Sequence, residues 1–299
     1  MNNNVKISHK IDGKVIARAL NQESSKRVKD FFKEHGYIPK LNVLWIGMDF
    51  VSRSYFNVIQ KTSSEVGIRF YKSRFFPDVS QKTLEDEIKF LNEDKQISGY
   101  IMLLPLSQNL DVLALRAKMI ESKDVDGMSL STTQKIKDGL EPLFWPATAL
   151  GCMEVIKNQF PGSLKGKTVT VVGLSDIVGM PITKLLLKLD ASVLTVDSRT
   201  PLDQKVESCQ QADIVISCVG RPDQHKILEE HVKSGAMLID IGMSAQSDTT
   251  KKGSFRLVGD IDPTAEEKSS CFVPTLNGVG PVTAAMLVRN LIDAAIQQK

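Results

Sequence analysis

The chain has 299 residues, 42% of them hydrophobic and 24% charged, with 38 Lys and Arg against 35 Asp and Glu for a net charge of +3. This is ordinary globular composition, and the length suggests two domains of roughly 150 residues each. The charge is too balanced to argue for nucleic acid or an anionic membrane surface, and collagen, a disulfide scaffold and a disordered tail are all excluded.

Four cysteines, Cys152, Cys209, Cys218 and Cys271, form no CxxC pair and read as reduced thiols of a cytoplasmic protein. The opening Met-Asn-Asn-Asn-Val-Lys has no apolar stretch, so no secretory signal is expected. The longest apolar run, Tyr100 to Leu106, is broken by Pro105 and predicts no membrane span. His9, His35, His225 and His231 are scattered, and no metal site is expected.

Helical and strand patterns then alternate. Residues 14–34 are helical and stop near Gly36; 42–46 is a buried strand. A helix over 52–66 leads to a short strand at 68–71. An amphipathic helix over 80–94 precedes an apolar strand at 98–104. The stretch 121–147 is polar, carries Pro142 and Pro146 and lacks a period, so the domain junction is placed there. A helix over 148–158 would be capped by Thr148. A second set follows: strand 168–173, helix 177–189, strands 192–196, 213–219 and 236–241, and a closing helix 281–297. The pattern predicts an α/β protein of two domains, mostly parallel sheet, the second Rossmann-like.

The strand Thr168–Val172 runs into Gly173-Leu174-Ser175-Asp176-Ile177-Val178-Gly179. Glycines between a strand and a helix let the backbone approach a pyrophosphate, and the helix N-terminus offers it free N–H groups. The spacing, Gly-x-Ser-x-x-x-Gly, departs from the standard dinucleotide fingerprint. Asp197 stands 24 residues after Gly173 at the end of the next strand, where an acid can accept from the adenosine ribose. Ser198-Arg199-Thr200 follows, and an Arg with a hydroxyl suits a 2′-phosphate. NAD and NADP therefore both stand.

Several runs together resemble the methylenetetrahydrofolate dehydrogenase/cyclohydrolase family. They are Ile11-Asp12-Gly13-Lys14, Ser52-Arg53-Ser54-Tyr55, Leu104-Pro105-Leu106 and Lys123-Asp124-Val125-Asp126-Gly127. Beyond these come the turn from Val172 to Pro181, Ser198-Arg199-Thr200, Gly220-Arg221-Pro222, Ile239-Asp240-Ile241-Gly242 and Asn277-Gly278-Val279-Gly280-Pro281. The runs keep the family's order along the chain. The resemblance implies a folate-binding catalytic domain over 1–145 with 283–299, an NAD(P)-binding domain over 146–282, a ligand cleft flanked by the two, and a homodimer acting on a small molecule. It implies Tyr55, Asp126, Gly278, Gly280 and Pro281 around the folate. It also implies Thr148, Gly173, Ser175, Ile177, Val178, Gly179, Asp197, Ser198, Arg199, Gly220 and Gly242 around the cofactor.

Two departures bear on the chemistry. The family's Tyr is followed four residues later by a Lys; here Ile59 holds that place, and Lys61, two positions on, points about 200° around the helix. The family's Gln before Leu-Pro-Leu is Leu103. Hydride transfer from the methylene bridge needs positioning and no general base. Hydrolysis of the methenyl product needs proton transfer, which in the family the Lys and Gln support and which Ile59 and Leu103 cannot supply. The expected activity is therefore a dehydrogenase without the cyclohydrolase. Lys61 as a displaced amine, a non-folate substrate on the same scaffold, and a silent ligand- or partner-binding member are the alternatives.

Overall fold

The computed structural model describes residues 9–47, 49–221, 226–247 and 255–299. Pro222 and His225, named above, lie outside them. In chain order the elements are β1 (His9–Lys10), α1 (Gly13–His35), β2 (Lys40–Ile46), α2 (Phe50–Val66), β3 (Arg69–Phe75), α3 (Gln81–Glu93), β4 (Gly99–Met102), α4 (Val112–Lys118) and α5 (Leu130–Lys137). They continue with α6 (Ala147–Gln159), β5 (Thr168–Val172), α7 (Gly179–Lys188), β6 (Ser192–Val196), α8 (Leu202–Gln211), β7 (Ile214–Ser217), β8 (Met237–Asp240), β9 (Ser244–Ser247), β10 (Phe255–Val258), α9 (Pro263–Lys268), β11 (Cys271–Val273) and α10 (Val279–Gln297). Two single 3₁₀ turns, Glu121–Lys123 and Glu229–His231, complete the described set.

The chain divides into two compact units. One takes Ala17–Gly151 and Thr283–Lys299; the other runs through Ile16 and then from Cys152 to Val282. The start of the chain thus departs from the expected 1–145 grouping. Its two-residue strand β1 pairs in parallel with β11, and the Ile11 N–H donates to the Phe272 carbonyl at 2.8 Å. A strand that short carries no hydrophobic alternation from which a partner could be read.

In the first unit β2 lies between β3 and β4, all parallel. Its apolar run is buried on both faces, as a central parallel strand requires. One core gathers Leu41, Val43 and Trp45 of β2, Phe56 and Ile59 of α2, and Leu287, Leu291 and Ile292 of α10. The α10 helix is apolar over a longer span than Tyr100–Leu106, though interrupted by Thr283, Arg289, Asn290 and Asp293. Among the described residues it alone is long and apolar enough to cross a membrane, but 72% of its apolar window is buried inside the protein. Its apolarity is that of a core helix.

The stretch 121–147, expected to be irregular, contains α5. Ser129 caps it, its hydroxyl accepting from the Thr132 N–H at 3.2 Å, and Thr132, Thr133 and Ile136 are buried. A short helix that buries threonines shows no apolar stripe in sequence. Helix α6 begins at Ala147, so Thr148 lies inside it and is not its cap. Helices α4, α8 and α9 and strands β9 to β11 were likewise absent from the sequence reading, being short or polar.

In the second unit the parallel strands take the order β1-β11-β8-β7-β5-β6. From β5 the chain moves outward to β6, then returns to the other side of β5 as β7. This reversal is a topological switch point, and ligands of open α/β sheets bind beyond the carboxyl ends of the strands there. The β5 sequence Thr-Val-Thr-Val-Val suits a buried strand: β-branched throughout, with four of its five residues buried.

Candidate active site

The turn after β5 lies at the switch point. Gly173 has φ +96°, a left-handed conformation that glycine adopts without strain. Gly179 opens α7 so close to the turn that a Cβ there would stand 1.8 Å from the Gly173 carbonyl oxygen. The spacing between the two glycines is therefore set by contact. The Ser175 carbonyl accepts from the N–H groups of Val178 (3.3 Å) and Met180 (3.1 Å), which winds the turn into the helix. Val178, at the cap position, makes no side-chain cap bond. Of the first N–H groups of α7, that of Met180 is taken by Ser175 and that of Ile182 by Val178, and Pro181 has none, so only the Gly179 N–H is left for a ligand.

A cavity of about 760 Å³ opens beside this turn. Gly173, Ser175, Asp197, Ser198 and Arg199, all expected from sequence, line it. Leu174, Met180, Thr183, Lys184, Cys218, Val219 and Arg221 line it too and were not anticipated as contacts. The signal for Met180, Thr183 and Lys184 was available: they follow Gly179 at one-, four- and five-residue offsets on the helix that the turn begins. Ile177, Val178 and Gly179 shape the turn but do not line the cavity.

Gly220 and Gly242 also act from behind. The Gly220 N–H donates to the Asp260 carboxylate at 3.0 Å, as does that of Val219 at 2.8 Å. A Cβ on Gly242 would stand 1.9 Å from Asp260 Oδ2. Asp240 in turn accepts from the N–H groups of Asp260 (3.0 Å) and Ile261 (3.1 Å). Burial pushes the Asp240 carboxyl up to about 7. These two acids tie the ends of β7 and β8 together beneath the cavity wall, and sequence reasoning assigned neither a role.

At the end of β6, Asp197 accepts from the Arg199 N–H at 2.8 Å and from the guanidinium Nε at 3.0 Å. The Arg199 hydrogen bonds and charge hold its carboxyl below the usual range. Thr148 lies inside α6, in the unit of Ala17–Gly151.

Within that other unit α2 carries the expected catalytic face. Asp49 caps the helix, its carboxylate accepting from the Ser52 N–H at 2.8 Å, and Gly67 ends it in the left-handed region. Asp49 therefore has a structural task. Tyr55 and Ile59 share one face, one turn apart. Ile59 is 0% exposed and Leu103 4%, both inside the same apolar cluster, with Tyr55 packed against it. Lys61 leaves that face: its side chain is 78% exposed, with the Glu65 carboxylate 3.8 Å away. Two further residues along the helix rotate it away from the buried face of Ile59.

Asp126 meets Tyr55 electrostatically. Burial, and then the neighbouring charge of Asp124, push the Asp126 carboxyl up to about 8. Burial and the Asp126 charge raise the Tyr55 hydroxyl well above its ordinary value. That hydroxyl is buried and has no hydrogen-bond partner among the described residues. A buried polar atom left unpaired costs free energy.

Asp124, unassigned in the sequence, builds the turn that presents Asp126. Its carboxylate accepts from the N–H groups of Met128 (3.0 Å) and Ser129 (2.7 Å) and from the Thr132 hydroxyl (3.2 Å). Gly127 closes this turn with φ +65°, and a Cβ there would stand 2.6 Å from the Pro146 nitrogen. In the other unit, Gly278 serves close packing: a Cβ on it would stand 2.0 Å from the Pro274 carbonyl oxygen. Gly280 faces open space, and Pro281 follows it within the first turn of α10.

A doubly wound parallel sheet with a glycine turn and an open cavity at its switch point defines a dinucleotide-binding protein. Comparison with known proteins gives the family. Residues 146–299 match the tetrahydrofolate dehydrogenase/cyclohydrolase NAD(P)-binding domain and residues 11–126 the catalytic domain, and the chain belongs to that family. The Arabidopsis thaliana bifunctional protein FolD 2 is 38% identical over 287 residues, covering 95% of this chain and 94% of its own. The Trypanosoma brucei N5,N10-methylenetetrahydrofolate dehydrogenase-cyclohydrolase, solved with NADP and an inhibitor, superposes with a TM-score of 0.89 at 30% identity, covering 97% of this chain and 98% of its own. The Bombyx mori 5,10-methylenetetrahydrofolate dehydrogenase gives 0.86 at 28% identity, covering 97% and 99%.

Proposed function

We propose that this protein oxidises 5,10-methylenetetrahydrofolate with a nicotinamide dinucleotide and does not hydrolyse the methenyl product. The observation that carries the second half is the joint burial of Ile59 and Leu103 in one apolar cluster beside Tyr55. Removing one of two buried polar partners strands the other, at about 1–3 kcal/mol, whereas replacing both by apolar groups is nearly neutral. A paired replacement marks a dry wall, with no group on it to relay a proton to or from attacking water.

The residues present fit the cofactor. Gly173 and Gly179 let the turn after β5 close tightly into α7 beside the cavity, and Asp197 and Ser198 line that cavity at the end of β6, where an acid can accept from an adenosine ribose. When bound, the nicotinamide accepts the hydride. The chain's own part is placement: Tyr55 gives a face for stacking and a hydroxyl awaiting a partner, and Asp126 offers a carboxyl to the polar edge of the pterin. The folate nitrogen lone pair supplies the push, so no side chain needs to take a proton in this step. Gly278, Gly280 and Pro281 belong to the same reading as a loop serving the substrate.

We also assign the protein to the cytoplasm as a homodimer. The four cysteines are unpaired, which suits a reducing compartment, and β3 is an edge strand of its sheet, a surface for self-association. Light scattering of the purified chain tests the dimer; a monomer mass at micromolar concentration rejects it.

The catalytic reading is tested by following the methenyl species and reduced cofactor together from methylenetetrahydrofolate. Stoichiometric accumulation of both supports it, and absence of cofactor reduction rejects the folate assignment.

A further inference from the structure

We propose that this enzyme selects NAD over NADP, with Asp197 as the selectivity residue and Arg199 held away from the phosphate-reading role. The inference deepens the cofactor assignment above and rests on it. Asp197 ends β6 and lines the cavity, where an acidic side chain takes the adenosine ribose hydroxyls. Its carboxylate is fixed by the chain that follows. The Arg199 N–H donates to Oδ1 at 2.8 Å, and the Thr200 hydroxyl both receives the Asp197 N–H at 3.0 Å and stands 3.4 Å from Oδ1. Its side chain is 23% exposed, and these contacts orient the carboxylate.

Arg199 is the residue that would welcome a 2′-phosphate, but it is already engaged. Its Nε and Nη2 both reach Asp197 Oδ2, at 3.0 and 2.5 Å. To meet a phosphate it must release that oxygen, leaving a bare carboxylate beside a group of about −2 charge. The pair has no net charge to offer.

The opposite wall gives no compensation where the turn begins, because Leu174 there is aliphatic. Two other cations line the cavity, Lys184 on α7 and Arg221 beyond β7. Neither belongs to the segment after β6 that carries the ribose reader.

Isothermal titration of the full-length protein with NAD⁺ and with NADP⁺ separates the possibilities without requiring turnover. We expect Kd for NADP⁺ at least tenfold above that for NAD⁺. Asp197→Asn keeps an acceptor for the Arg199 N–H but removes the charge, and is expected to lower the NADP⁺/NAD⁺ ratio of Kd at least tenfold, chiefly through tighter NADP⁺. Circular dichroism of the variant confirms that it folds. Wild-type protein binding NADP⁺ as tightly as NAD⁺, or an Asn variant with an unchanged ratio, overturns the selectivity while leaving the cofactor assignment standing. Binding of neither dinucleotide overturns both.

Discussion

Replacing Ile59 by the family's lysine probes the dry wall directly. The Ile59 side chain is fully buried among Phe56, Leu103, Val125 and Leu287. An amine placed there must either shed its charge or drag water into the core. A depression of three pKa units, ordinary for a buried lysine, corresponds to about 4 kcal/mol at pH 7. The sign follows from linkage. The unfolded amine titrates near 10.4 and the folded one near 7.4, so the deficit grows as pH falls below 10.4 and levels off below 7.4. At pH 9.5 it shrinks to about 1.3 kcal/mol. Ile59→Met, similar in volume and uncharged, costs under about 1.5 kcal/mol and is flat with pH. Urea unfolding of the three proteins at pH 7 and 9.5 measures all of this. Adding Leu103→Gln to Ile59→Lys gives the amine a neighbour, and a favourable coupling of about 1–3 kcal/mol is expected. A lysine variant within 1 kcal/mol of wild type, with no pH dependence, would refute the reasoning, since the wall would then already be wet.

Gly179→Ala forces a methyl group into the Gly173 carbonyl, so thermal denaturation is expected to show a loss of about 1–3 kcal/mol and titration the loss of dinucleotide binding. Tyr55→Phe removes an unpaired buried hydroxyl; stability should hold or rise by about 1 kcal/mol while the folate KM increases. The Asp126 carboxyl, raised to about 8 in the folded protein, adds stability that is complete below pH 4 and lost as pH rises through 8. Asp126→Asn should therefore gain stability relative to wild type between pH 6 and 9, as read from the pH dependence of the urea midpoint.

Much of the site was legible because its signals are local. The strand-glycine-helix run from Thr168 to Lys188 and the acid at the end of β6 can be read from a window of thirty residues. The helix face shared by Tyr55 and Ile59 follows from a four-residue spacing. What escaped depends on long-range contact. Asp124 stands out from Asp126 by the buried N–H groups of Met128 and Ser129 that it meets, and Asp240 and Asp260 act through backbone brought together from separate strands. Strand β1 is defined by β11, more than 260 residues away, and no pattern in two residues could announce it. Thr148 misled for a related reason: a Thr after Pro146 looks like a cap, but Pro146 instead leads into a helix that starts at Ala147.

The most direct measurement of the central claim is an absorbance time course with methylenetetrahydrofolate and NAD⁺ or NADP⁺, in a buffer where spontaneous methenyl hydrolysis is slow. Reduced cofactor and methenyl product should rise together, one for one, and the methenyl species should then decay at its enzyme-free rate. Decay that quickens in proportion to enzyme concentration would contradict the account, showing that the protein hydrolyses the product despite Ile59 and Leu103.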